Sequence, residues 1–117
     1  MRKFTWLVLT NCDPDFESEF NRWYDEVHIG DLLRVPGIVG ARRSKLADAQ
    51  MSMVDDGLAL IGANELSLKY KYLACYYIEA NDASTVLREV KARSGTPQME
   101  ISPHLTEAFT LMYEDLR

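Results

Sequence analysis

Residues 16–37 read FESEFNRWYDEVHIGDLLRVPG, and the arrangement of the rest of the chain turns on how this stretch is placed. At about 100° per residue, Phe16, Phe20, Trp23 and Val27 fall on one narrow stripe, the apolar face of a helix pressed against a sheet. Tyr24 and His28 form the neighbouring row. Asp31 joins them if the backbone stays helical past Gly30, because residues three and four apart are surface neighbours. A phenol, an imidazole and a carboxylate then line the border between core and solvent. Upstream, Asp13 is placed to cap the helix, Pro14 sits where a missing N–H is harmless, and Asp15 and Glu17 suit the positive end of the dipole. Downstream, Pro36-Gly37 stops it. The expected helix runs from about residue 14 to 27, with a short continuation to Leu33.

Working outward, Lys3 to Asn11 is rich in aromatic and branched residues and ends in the turn signal Asn-Cys-Asp-Pro, which marks a first strand. Ile38 to Leu46 reads as a second, with Val39, Ala41 and Arg43 on one face and Ile38, Gly40 and Arg42 on the other. Residues 47–68 have no clear period. They are expected to form a long connection, or insertion, with a helical piece over Ala49 to Leu60. Lys69 to Ala80 is a third strand that places Tyr70, Tyr72, Ala74, Tyr76 and Ile78 on one face and Leu73, Cys75 and Tyr77 on the other. A second helix, Asp82 to Ala92, is expected to be capped by Asn81 and to bury Val86, Leu87 and Val90. Residues 98–105 read as a polar loop carrying His104. Glu107 to Glu114 is the fourth strand, with Phe109, Leu111 and Tyr113 alternating against Thr110 and Met112.

Strand, helix, strand, strand, helix, strand is the ferredoxin-like order: an α+β fold in which a four-stranded antiparallel sheet carries two helices on one face. The strands are apolar or tyrosyl on both sides, so the other face needs a cover as well. A second copy in a two-fold homodimer is the simplest one.

Composition narrows the function classes. A chain of 117 residues is expected to be one domain (1–117), with no room for a separate cofactor domain. The net charge of -5 argues against a nucleic-acid partner, which requires clustered Lys and Arg. Phe4 to Leu9 is too short for a signal-peptide core and lacks a cleavage site. No apolar run approaches a membrane span. Cys12 and Cys75 stand far apart without metal-ligand spacing, so neither a disulfide framework nor a zinc site is implied. The expected location is cytoplasmic.

The run Phe20-Asn21-Arg22-Trp23-Tyr24-Asp25-Glu26-Val27-His28, followed by Leu32, Val35-Pro36-Gly37 and Ala41-Arg42-Arg43, resembles the dimeric α+β barrel superfamily. Within it, the chain is similar to the small proteins related to the EthD group, named for ethyl tert-butyl ether degradation. Weaker agreement extends to Tyr72-Leu73-Ala74, Arg93 through Pro97, and Phe109 with Tyr113-Glu114. Residues 47–68 lie outside it, and Gly30 stands where many relatives have Pro. The superfamily includes cofactor-free isomerases, polyketide cyclases and monooxygenases, haem-linked members and many proteins with no assigned reaction. Fold alone does not choose among them. In active members the site lies in the cleft between helices and sheet, where the Tyr24 and His28 row points.

On this reading His28 is a general acid or base, with Asp31 or Asp25 orienting the ring, and Tyr24 polarises a carbonyl or steadies an enolate. The ordinary readings stand beside it: a histidine satisfying a helix end, a tyrosine half-buried with its hydroxyl in water, and Asp25 paired along the helix with Arg22. Trp23 is core or a ligand wall, and Tyr76 belongs to an aromatic pocket or to a dimer-packed strand face. Of Arg42 and Arg43, one pairs with an acid and the other is available for a substrate carboxylate. His104 is an isolated loop residue that serves the surface or the ligand. The expected function is a cofactor-free isomerase, lyase or cyclase acting on a small aromatic or carbonyl compound. The alternatives are a non-catalytic ligand-binding protein that uses the same cleft, and a cofactor-free monooxygenase. No cofactor and no metal are implied.

Overall fold

The computed structural model describes residues 1–116. Strands β1 (Arg2–Cys12), β2 (Ile38–Lys45), β5 (Tyr72–Ala80) and β6 (Leu105–Glu114) form one antiparallel sheet in the order β2-β5-β1-β6. Helices α1 (Glu17–Trp23), α2 (Ile29–Leu33) and α3 (Ala83–Arg93) are packed on one face of that sheet. This is the ferredoxin-like α+β arrangement. Its core holds Phe4 and Trp6 of β1 and Tyr72, Ala74, Tyr76 and Ile78 of β5, with Phe20, Tyr24, Leu32 and Val86 from the helices.

Between α1 and α2 the chain stays helical but widens into a π turn at Tyr24–His28, closed by the bond from the Ile29 N–H to the Tyr24 carbonyl. The helix is therefore continuous through Gly30. The wide turn holds one residue more than an α turn and rotates the residues after it. As a result the buried row is Phe20, Tyr24 and Leu32, and the stripe expected from an unbroken 3.6 period is corrected: Phe16 is 40% and Val27 44% exposed. Phe16 lies in a 3-10 turn, Pro14–Phe16, where the period is 3; Asp13 caps that turn through the Asp15 N–H.

Four further expectations are corrected. A bulge between Ile38 and Gly40 shifts the register of β2, so Ile38 is buried on the helix side with Ala41 and Arg43. Tyr70 precedes β5 and stacks on Phe109. The cap of α3 is Asp82, whose carboxylate accepts from the Ser84 N–H. Finally, residues 47–68 contain no α-helix. They hold a separate two-stranded sheet, β3 (Ala49–Val54) and β4 (Gly57–Gly62), joined at Asp55-Asp56, and Gly57 takes the positive φ of 133° that side chains resist.

Candidate functional site

His28 is the last residue of the π turn and enters a cavity of about 200 Å³ between the sheet and the helices. Trp6, Val8 and Tyr76 form the floor of this cavity. Leu32, Val90 and Ser94 wall it from the helix side, Met99 and Ile101 from the loop, and Ala108 and Thr110 from β6. Ala108 and Thr110 are exposed on a strand that ends the sheet, so the cavity opens along that edge.

The imidazole is held by rings rather than by hydrogen bonds. Trp23 stacks on it at 4.4 Å between centroids, and Tyr24 meets it edge-on at 5.0 Å. Its Nδ1 is buried and has no hydrogen-bond partner. Burial disfavours the charged form and lowers the pKa from 6.5 to about 4; Arg43 adds to the drop, and Asp31 opposes it. His28 is thus neutral at physiological pH, with a free nitrogen in an apolar setting.

Tyr76 donates a long hydrogen bond of 3.5 Å to the Tyr24 hydroxyl, and Tyr76 packs on Trp6 at 5.4 Å. Both phenols are buried, and burial raises both pKa values, so both stay protonated. Tyr24 is only 2% exposed, so its hydroxyl is not in water. The other side of its ring carries the Arg43 guanidinium at 4.2 Å. Arg43 is fixed in turn by Asp25 at 2.9 Å and by the Asn21 side-chain oxygen at 3.0 Å. The partner of Asp25 is therefore Arg43 on β2 and not Arg22.

Of the residues the sequence singled out, His28 and Tyr76 reach the cavity, and Tyr24, Trp23 and Arg43 support them from behind. Asp31 makes no hydrogen bond to His28; its carboxylate is engaged by Arg34 at 2.8 Å. Arg42 is exposed and points to the opposite side of the sheet from Arg43. His104 stacks on Phe16 at 4.2 Å and faces Glu19 at 3.4 Å, at the start of α1 and away from the cavity. The lining residues that sequence reasoning missed include Trp6, Leu32, Ser94, Met99 and Thr110. Trp6 and Leu32 carried a signal in the alternation of β1 and the i,i+4 step from His28. Met99, fully buried within the expected polar loop, carried none. Among the described residues, no group of three His, Cys, Asp or Glu side chains is placed to hold a metal.

No family model matches the chain, and no curated protein matches it. Solved structures do. The haem degrader MhuD from Mycobacterium tuberculosis, solved with two haems in its active site, is similar over 97% of this chain and 96% of that one, with 12% identity and a TM-score of 0.54. SnoaB, a cofactor-independent oxygenase from Streptomyces nogalater, matches over 100% of this chain and 96% of that one, at 13% identity and a TM-score of 0.51. An ethyl tert-butyl ether degradation family protein from Bacillus halodurans is similar over 97% and 99%, at 11% identity and a TM-score of 0.47. Identities this low are likenesses of fold. What these proteins share with this chain is the ferredoxin-like α+β fold. No helix among the described residues is long and apolar enough to cross a membrane.

Proposed function

We propose that the chain is a cofactor-free enzyme that moves a proton on a small aromatic or carbonyl compound, with His28 as the base. The observation that carries this reading is a neutral imidazole, its Nδ1 unpartnered, at the wall of an apolar cavity. A pKa near 4 makes the ring a weak base in the empty site. A substrate that becomes an enolate or phenolate on losing its proton supplies the missing charge, and the resulting ion pair stabilises both partners where water is excluded. Tyr76, protonated and on the cavity floor, turns its hydroxyl from the long bond to Tyr24 towards the developing oxyanion. Tyr24 and Arg43 hold that hydroxyl and the imidazole in place from behind. At about 200 Å³ the cavity is below the usual size of drug-like sites, which favours single-ring substrates.

The test is deuterium uptake from D2O at the acidic carbon of single-ring enolisable ketones. His28→Gln is expected to lower the exchange rate by roughly 100-fold to 10,000-fold. A folded His28→Gln protein that exchanges at the wild-type rate would sink the assignment. Tight binding of the same compounds without exchange in the wild type identifies a ligand-binding protein instead. The same base also serves a cofactor-free oxygenase, in which the phenolate it forms is the species that reacts with oxygen. SnoaB, a cofactor-independent oxygenase, has the same fold. Oxygen consumption matched to loss of an electron-rich phenol is its signature.

The second part of the proposal is a homodimer. The sheet face away from the helices carries Leu7, Leu9, Leu73, Phe109 and Leu111, and Tyr113 at its margin is 54% exposed. A second copy set face to face covers it. Sedimentation equilibrium is expected to give twice the chain mass of 13.4 kDa.

A further inference from the structure

The β3–β4 ribbon is built inside out. Direct cross-strand pairs Met51 with Leu60 and Met53 with Leu58 put four large apolar side chains on one face, and these are 56%, 82%, 86% and 66% exposed respectively. The opposite face carries Gln50, Ser52, Ala59 and Ile61, and it is this smaller, more polar set that is half-buried. An isolated two-stranded ribbon is marginal in water, and exposing its apolar face makes it more so. Its apolar face therefore needs a partner surface.

That surface is present on the same chain. Beneath the base of the ribbon, a cavity of about 240 Å³ with almost wholly apolar walls opens on the helix-free side of the sheet, lined by Leu9, Leu46, Tyr70 and Leu73. Leu9 and Leu73 belong to the face that the homodimer covers, so the cavity is continuous with that interface. A protruding apolar ribbon and an apolar socket on one chain meet twice in a two-fold pair, each ribbon in the other copy's socket. We infer that the β3–β4 ribbon is a dimer arm, reaching across to seat Met51, Met53, Leu58 and Leu60 against the Leu9–Leu46–Tyr70–Leu73 socket of a second copy. This rests on the homodimer proposed above and assigns residues 47–68 their role in it.

The test measures dimer dissociation by sedimentation for the full chain and for Met53→Glu/Leu60→Glu. Both positions are exposed, so the substitutions leave the sheet and helices folded, as circular dichroism verifies. Dissociation is expected to strengthen by roughly 30-fold or more, the loss of at least one interface hot spot. A dimer of unchanged affinity overturns the arm and leaves the homodimer standing, whereas a wild-type monomer overturns both. Independently, Met53→Cys and Leu46→Cys chains, each with Cys12 and Cys75 replaced by Ser, are expected to form a disulfide-linked heterodimer when mixed after separate purification and oxidised by air. If Met53→Cys alone links to itself while the mixture does not, two ribbons face each other and the socket is wrong.

Discussion

Two helical segments lie on the same face of the same sheet, and they differ in kind. Helix α3 is a regular run of 11 residues, capped by Asp82, and buries one residue completely, Val86. The segment from Glu17 to Leu33 is interrupted by a π turn and buries Phe20, Tyr24 and Leu32. The regular helix supplies cover, and the interrupted one supplies the site. A π turn costs hydrogen-bond quality, and here it starts from the buried Tyr24 and brings His28 to the cavity at its other end.

The comparison is tested most severely in the core. Phe20→Ala is expected to cost about 3 to 5 kcal/mol in denaturant unfolding, against about 2 kcal/mol for Val86→Ala, the large ring leaving the larger cavity. Equal costs would mean that the two segments are anchored alike. Next comes acid. The folded pKa of His28 lies near 4, below its ordinary 6.5. The unfolded chain therefore binds a proton at this ring as pH falls through 6.5, while the folded chain resists until about 4. Stability from this group is unaffected above 6.5, is lost progressively below it, and by pH 4 has fallen by roughly 3 kcal/mol. His28→Gln is expected to flatten that part of the profile, and an unchanged acid slope would place the ring in water.

Smaller effects separate the two helices by register. Deleting the exposed Glu26 removes the extra residue of the π turn and lets the segment relax to a regular helix. A loss of less than about 1 kcal/mol is expected, together with loss of the Trp23–His28 stacking and of the proposed activity. Deleting Arg88 from α3 instead swings Leu87 or Val90 off the sheet and costs about 2 kcal/mol. Thermal melts of the two deletions compare them directly. Asp82→Ala is expected to cost about 1 kcal/mol, half the loss from the Arg88 deletion, since one orphan N–H at the start of α3 loses its carboxylate.

The same contrast explains what the sequence made legible. The ferredoxin-like order was readable because β1, β5 and β6 alternate and because Asp13-Pro14 and Pro36-Gly37 punctuate the first helical segment. Tyr24 and His28 were readable as neighbours because an i,i+4 spacing survives in the π turn. Their burial was not, since one extra residue rotates the helix and nothing in the composition announces it. The ribbon at 49–62 was missed for a local reason: Ala, Met and Leu favour helices, and the Asp-Asp-Gly turn at 55–57 lies between segments with few branched residues. Met99, Ser94 and Thr110 reach the cavity from a loop, a helix end and an edge strand. Only tertiary packing brings them together.

The stacking of Trp23 on His28 also makes the site its own optical probe. Both tryptophans of the chain touch this region, Trp23 against the imidazole and Trp6 on the cavity floor. A protonated imidazole accepts an electron from an excited indole, whereas a neutral one does so poorly. Emission is therefore expected to be brighter while the ring is uncharged and to dim when it gains its proton, whether from acid or from a bound substrate, so that proton transfer would be readable as light without any added label.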